Sequence, residues 1–353
     1  MHKLNTSSTT NVFCSVSACV AMALISACQA GNPDAVYQNY LTRLGRTLEI
    51  EPPAVVSATI AGAPRPAQLK LAVASSSLDA LDFLAISGCA VQVTIGKRNS
   101  SLGRMARDSQ RLLLDLEYLA LAPRCISYQR EQGNTAIADT LQQAWEQKRQ
   151  QLPVLIYNAT LASVEFRHFW RKPTAQLDYP ATPSSQVISS LQAIHAHATR
   201  WLAGDYQADN HQFEILLGNV AGGDGGKLTQ ALARQSRWLQ AADELLQQRM
   251  AKGPLCSADT RPAAAEILPT VVRKYFIGEI QPQSAILGRR YHDLTPAIRQ
   301  LENLLPNTLP TQYREWQQAR IAQLDAFQAA PLRHVEQIKI LQQPCAAPPD
   351  SGA

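Results

Sequence analysis

The chain has 353 residues, of which 46% are hydrophobic and 17% charged, with a formal net charge of +5. That length can bury one large core or two modest ones, and the apolar content excludes a chain too polar to fold. The mild positive balance is not gathered into a Lys/Arg patch interleaved with aromatics, so no nucleic-acid partner is expected.

A short polar start carrying Lys3 leads into an apolar run from Val12 to Ile25, interrupted only by small residues, and then into Ser26, Ala27 and Cys28. This is the layout of a secretory signal with a cleavage site. The alternatives are an uncleaved anchor or the buried start of a fold. The run is at the short end of the roughly 20 apolar residues that a membrane span needs, and no stop-transfer charges follow it. Leu24-Ile25-Ser26-Ala27-Cys28 resembles the lipobox of bacterial lipoproteins. The resemblance implies a signal peptide over 1–27, diacylation of the Cys28 thiol and acylation of the new amino group. Such chains exceed the two signals that stable anchoring requires. Gln29, where an Asp would retain the protein at the inner membrane, implies by the same resemblance the periplasmic side of the outer membrane. Cleavage removes Lys3 and no acid, leaving a net charge of +4.

Seven cysteines become five on cleavage, because Cys14 and Cys19 leave with the signal. Lipidation uses Cys28, and Cys89, Cys125, Cys256 and Cys345 remain. Four thiols in an oxidising compartment point to two disulfides, for which three pairings exist. The first two cysteines precede a proline-containing gap and the last two follow it, which favours Cys89 with Cys125 and Cys256 with Cys345. The alternative is four reduced, buried thiols. The close Cys-x-x-Cys spacing of a zinc site is absent.

Asn32-Pro33 reads as an N-cap with proline in the first turn, followed by a stripe of Val36, Tyr40, Leu44 and Leu48. Glu51-Pro52-Pro53 stops this helix. Beyond an Ala/Pro-rich loop, Leu69, Leu71 and Val73 alternate, the one hint of a short strand. From Leu78 to about Arg98 the pattern turns helical, with Leu81 and Leu84 or Ala85 on one face. Asn99-Ser100-Ser101 make a polar turn, and Asp108 or Ser109 caps a helix carrying Leu112, Leu116 and Leu119 up to Pro123. These two arms form an αα-hairpin that Cys89 and Cys125 would staple. Asn134 caps a helix with Ile137, Leu141, Ala144 and Trp145 inward, broken at Leu152-Pro153.

The segment 171–185 contains three prolines and reads as a linker or long loop between an N-terminal helical part, 28–170, and a C-terminal helical part, 186–345. The two parts can equally form one continuous domain. After Thr182-Pro183, a clean amphipathic helix carries Val187, Leu191, Ile194, Ala198 and Trp201 and ends at Gly204. A segment from His211 to Val220 stops at Gly222-Gly223-Asp224-Gly225-Gly226, read as a flexible helix-breaking loop. A long helix follows with Leu228, Leu232, Leu239, Ala242 and Leu246. Further helical pattern runs from Ala263 toward Ile280, from Leu294 to Leu305 and from Thr311 to Phe327, each punctuated by proline. Residues 346–353 read as a disordered tail. The expected fold is all-α, a multi-helix array of helical hairpins with two disulfides.

Little in this pattern carries chemistry. The glycine run fails as a phosphate loop, because that motif needs a glycine and a Ser/Thr where Ala221 and Leu228 stand. His195 and His197, two apart on a helix, point to different faces, and His211 supplies no third ligand without a fold. There is no Gly-x-Ser-x-Gly and no His-Glu-x-x-His. Neither a metal nor a cofactor is expected. The densest polar cluster is Arg98, Asn99, Ser100, Ser101, Arg104, Ser109 and Gln110. It reads first as helix capping and a solvated turn, and second as a loop offering donors to an anionic or glycan ligand.

At this cluster the chain resembles a known family. Ile95-Gly96-Lys97-Arg98-Asn99-Ser100-Ser101-Leu102-Gly103, followed by Ser109-Gln110-Arg111-Leu112-Leu113, is similar to the bacterial envelope lipoproteins grouped as domain of unknown function 3080. Tyr157-Asn158-Ala159-Thr160 with Glu165-Phe166, and Tyr275-Phe276-Ile277-Gly278-Glu279-Ile280-Gln281-Pro282, extend the likeness from the first helix to near Cys345. The resemblance implies an envelope lipoprotein and brings no catalytic residues. The expected role is a binding or scaffold protein of the envelope, with an envelope protein or a glycan as partner. The alternatives are an enzyme acting on an envelope polymer through the 98–110 loop with Glu165 or a histidine, or a small-ligand carrier.

Overall fold

Residues 32–74, 86, 88–174, 179–180, 183–257 and 260–346 are described by a computed structural model, and among them every regular element is a helix. Cys28 and the expected signal over 1–27 lie outside the described residues. So do Leu78, Leu81, Leu84, Ala85, Thr182 and the tail beyond 346. In chain order the helices are α1 (Ala35–Leu48), α2 (Pro66–Leu69), α3 (Val91–Asn99), α4 (Ser101–Met105), α5 (Asp108–Glu131), α6 (Thr135–Ala159), α7 (Val164–Phe169), α8 (Gln186–Leu202) and α9 (Asn210–Ala221). They continue with α10 (Gly225–Ala251), α11 (Ala263–Val271), a π-helical stretch (Val272–Ile280), α12 (Gln281–Leu304), α13 (Thr311–Gln328), α14 (Ala330–Gln342) and a 3₁₀ turn (Gln343–Cys345). No described helix is long and apolar enough to cross a membrane.

Three apolar cores are joined by helices that run from one into the next. The largest gathers Leu112, Leu116, Leu155, Phe166, Leu191, Trp201, Leu228 and Leu301 from α5 to α13. A second holds Tyr40 and Leu44 of α1 with Leu239 and Leu246 of α10, Leu268, Phe276 and Ile338. A third, smaller, packs Ile86, Val91 and Ile95 against Tyr118 and Ile126 of α5 and Leu141 of α6. The antiparallel pair α5 and α6 thus spans the first and third cores, and α10 spans the first and second. Each outer core carries a disulfide, Cys89–Cys125 in one and Cys256–Cys345 in the other, which is the expected pairing. The stripe of α8 is wholly buried, as its spacing requires.

Several boundaries differ from the sequence expectation, for identifiable reasons. Asn32 does not cap α1 itself: Asp34 is the N-cap, and Asn32 Oδ1 accepts from the Asp34 N–H at 3.0 Å. The alternating Leu69-Leu71-Val73 segment is no strand. Residues Pro66–Leu69 form a helical turn, and the backbone of Leu71 pairs with a side chain. Asn158 accepts from the Leu71 N–H and donates to the Leu71 carbonyl, both at 2.9 Å, doing what a neighbouring strand would do. Neither Asp108 nor Ser109 caps α5, whose N-cap is Arg107. Asp108 instead pairs with Lys70 at 2.7 Å, and the Ser109 hydroxyl donates to Glu214 at 2.6 Å. Residues 330–342, unassigned in sequence, form α14 because His334, Ile338 and Leu341 recur on one buried face.

The expected breaks at Pro123 and Pro153 do not occur, and Pro282 and Pro296 also lie within continuous helix, whereas Pro306 and Pro310 do separate α12 from α13. A proline inside a helix removes one N–H and leaves the carbonyl four residues earlier unpaired. At Pro123 that carbonyl belongs to buried Leu119, and the Trp145 indole N–H of α6 donates to it at 3.0 Å. Pro153 and Pro296 free carbonyls on Arg149 and His292, both exposed residues. Before Pro282 the helix widens into the π stretch, where the Gln281 N–H bonds to the Phe276 carbonyl five residues back, and the rod continues unbroken from α11 to α12.

The glycine run is not a flexible loop. A Cβ on Gly225 would lie 2.6 Å from the Phe169 ring, and one on Gly226 would lie 2.1 Å from the Arg171 carbonyl oxygen. Gly222, by contrast, meets nothing closer than 3.7 Å. Between these glycines, Asp224 accepts from the buried Arg290 guanidinium and from the Tyr179 hydroxyl.

Gly226→Ala should therefore destabilise the fold by about 3 kcal/mol or more, while Gly222→Ala stays within about 1 kcal/mol; equal urea midpoints for the two variants would contradict the close approach. Trp145→Phe should cost about 1–3 kcal/mol by leaving a buried carbonyl unpaired. That cost should shrink sharply in a Pro123→Ala background, where the restored N–H serves the same carbonyl, and a double-mutant cycle in urea measures the coupling.

Candidate functional site

The polar cluster at 98–110 separates into residues that build a turn and residues that line two concavities. Ser100 belongs to the turn. Its hydroxyl accepts from the Gly103 N–H at 3.0 Å as the N-cap of α4 and donates to the Lys97 carbonyl at 2.7 Å. Gly103 must lack a side chain, since a Cβ there would lie 2.1 Å from the Lys97 carbonyl oxygen. Ser109 is committed to Glu214 and thereby joins α5 to α9. Ser101 is exposed.

Arg98, Asn99 and Arg104 line a cavity of about 210 Å³ between α3, α5 and α6. At its base Asp115, only 2% exposed, accepts from Lys148 Nζ at 2.6 Å. The Nε of Arg98 lies 3.7 Å from the same carboxylate oxygen, too far for a hydrogen bond. Tyr118 completes the wall. Its hydroxyl donates to the Leu141 carbonyl at 3.0 Å, and the Lys148 ammonium sits 5.4 Å from its ring centroid. Burial first, and the Asp115 charge second, hold the Tyr118 phenol well above its ordinary value, so it stays neutral.

On the opposite side of α5, Ser100 and Gln110 border an open groove of about 670 Å³. Its floor is apolar, with Leu113, Leu114 and Leu121 of α5, and Leu102 and Tyr206 stand on its two walls. Lys97 and Glu117 pair across one edge at 3.3 Å. Leu102 and Met105 of α4 are 84% and 85% exposed. Leu114 lines both concavities, so the two sites lie back to back on one helix.

The remaining sequence candidates are not drawn into this region. Glu165 lies 3.9 Å from Arg107. His197 stacks on Trp201 and approaches Arg200 at 2.9 Å; burial and then the Arg200 charge lower its pKa. His211 is exposed. Among the described residues no group of three His, Cys, Asp or Glu side chains is placed to hold a metal ion.

Several buried polar networks were not anticipated. Glu302 and Arg320 pair at 2.8 Å with Tyr313 donating to the same carboxylate, and the Arg320 guanidinium stacks over Trp170 and Trp316. Asp243, His334 and Tyr40 form a relay, with His334 Nε2 2.7 Å from the Tyr40 hydroxyl. That relay resembles a catalytic one, but Tyr40 and His334 are sealed from solvent, so it ties α1, α10 and α14 together rather than serving a substrate. A signal for these networks was present: Asp115, Lys148 and Glu302 each occupy a position on an apolar stripe, where a charge requires a partner.

Lys148→Met should cost about 3–5 kcal/mol, because it strands a buried carboxylate. Asp115→Asn combined with Lys148→Met should recover much of that loss in guanidinium unfolding; two losses that simply add would mean that the pair does not interact.

The family model described as Protein of unknown function (DUF3080) matches residues 37–348. None of the curated proteins matches the chain, and neither does any solved structure.

Proposed function

We propose that this chain, which belongs to the DUF3080 family, is a lipid-anchored binding protein of the bacterial cell envelope that grips a helical segment of a protein partner. The observation that carries this reading is the apolar groove on α5 with Leu102 and Met105 turned to solvent beside it. Large apolar side chains so exposed on one short helix mark an interaction surface rather than a random surface residue. The groove floor runs from Gln110 to Leu121, about 16 Å of helix at 1.5 Å per residue. That length suits two to three turns of an amphipathic helix, whose residues at i, i+3 or i+4, and i+7 would meet Leu113, Leu114 and Leu121. Lys97, Ser100, Leu102 and Gly103, from the run that resembles the family, stand on the groove wall, and a partner there would give the exposure of Leu102 a purpose.

The envelope address rests on the lipobox-like sequence ending at Cys28 and gains support from the pairing of Cys89, Cys125, Cys256 and Cys345. With α1 beginning at Ala35, the body follows Cys28 after only a short tether. The body would then be held at the membrane surface on the periplasmic side of the outer membrane.

Two measurements on native protein test the reading. Intact mass should show residues 1–27 absent and fatty acid on Cys28, and Cys28→Ser should leave an uncleaved species that carries no fatty acid. A photo-crosslinker at position 102 in intact cells should yield one discrete protein adduct, mapped to an amphipathic helix, that Met105→Ser weakens. An unmodified cytosolic chain, or no discrete adduct, would overturn the location or the binding role respectively.

A further inference from the structure

We infer that the cavity between α3, α5 and α6 is a second binding site, for a small oxyanion carrying a carboxylate or phosphate group on a short apolar body. Asp115 is matched by Lys148 at 2.6 Å, which closes that pair. Arg98 approaches the same carboxylate only to 3.7 Å, and its Nε has no hydrogen-bond partner among the described residues. Arg104 lines the cavity, and no ion pair among the described residues engages its guanidinium. The cavity therefore carries two guanidinium groups beyond what its one carboxylate neutralises. In a confined site partly screened from water, that surplus favours an anion.

A neutral donor strengthens the case. Thr94 is 1% exposed, sits in the cavity wall and has a hydroxyl with no hydrogen-bond partner among the described residues. A threonine inside a helix ordinarily bonds back to a carbonyl one turn earlier, so an idle hydroxyl beside an underused guanidinium leaves donors waiting for an acceptor. A planar carboxylate or a phosphate accepts from an arginine fork in two parallel bonds, with a hydroxyl as a third donor. Opposite these donors the walls are apolar, with Val73, Ile95 and Leu114. A volume of about 210 Å³ falls below the roughly 300–1,000 Å³ usual for drug-sized ligands. The site therefore takes a small molecule or a single head group, not a polymer chain.

The test uses the mature chain in chloride buffer of constant ionic strength, with inorganic phosphate and pentanoate as separate probes. At millimolar concentration one probe should raise the thermal midpoint in a saturable way, as ligand binding to the folded state requires. The probe that does so identifies which oxyanion the site takes. Arg98→Gln and Arg104→Gln should each weaken that binding about tenfold, in line with the loss of a charge-assisted pair. Both variants should keep the wild-type helix signal, and the shift that each probe produces is read against that variant's own midpoint in chloride. Arg98→Lys, which keeps the charge and loses the fork, should fall between Arg98→Gln and wild type. The Leu102→Ser and Met105→Ser variants should bind the probe normally, which separates this site from the groove. No midpoint shift with either probe, or equal binding by the double arginine variant, would overturn the assignment.

Discussion

The close approach of the chain at Gly223–Gly226 is the contact on which the rest of the arrangement depends. Phe169 and the Arg171 carbonyl press against the start of α10 where no Cβ is tolerated, and Asp224 in the middle of the run holds Arg290 of α12. Three segments far apart in sequence are thereby fixed at one point. Because α10 leaves that point for the second core, and α12 returns from the π stretch to the same point, the seam sets how the two larger cores sit against each other. Glycine here is a packing requirement, not a source of mobility.

Along the same molecule, ionic pairs occupy positions where an all-apolar core would also have been stable. Asp115 with Lys148, Glu302 with Arg320, and Asp34 with Arg237 each join helices that share a core. The desolvation of such charges offsets much of their attraction, so their net contribution over well-packed apolar residues is small. Their directional demand is large, however: a one-turn slip of α6 against α5 would leave Asp115 buried without a partner. The pairs thus penalise alternative registers more than they stabilise the observed one.

The candidate binding region follows from the same geometry. α5 carries a groove on one side and a charged cavity on the other, with Leu114 between them. Sequence reasoning selected Arg98, Asn99, Ser100, Arg104 and Gln110, which do line these concavities, and Ser109, which instead joins α5 to α9. It did not select Asp115 or Lys148, although each sits on an apolar stripe, and it could not select Tyr206, because nothing local brings the 206–210 segment to α5. The other stretches that resemble the family divide in the same way. Tyr157-Asn158-Ala159-Thr160 is buried and braces Leu71, and Tyr275-Phe276 packs against α1, with Tyr40 and Phe276 ring centroids 5.9 Å apart.

What the sequence determined by itself was most of the helices, most of their buried faces and a preference among three possible pairings of four cysteines, which the structure then decided. Those depend on spacing that repeats every three or four residues and on the grouping of thiols along the chain. Where the helices end was decided by the tertiary structure. Pro123 reads as a stop until Trp145 arrives from the next helix to take the freed carbonyl, and the Leu71 segment reads as a strand until Asn158 arrives in place of one. In both cases the deciding atom lies on another element, so a polar group that looks unsatisfied locally is satisfied at long range. The same reason hides the cavity: its donors are legible one by one, but only the packing of α3, α5 and α6 turns them toward a common volume.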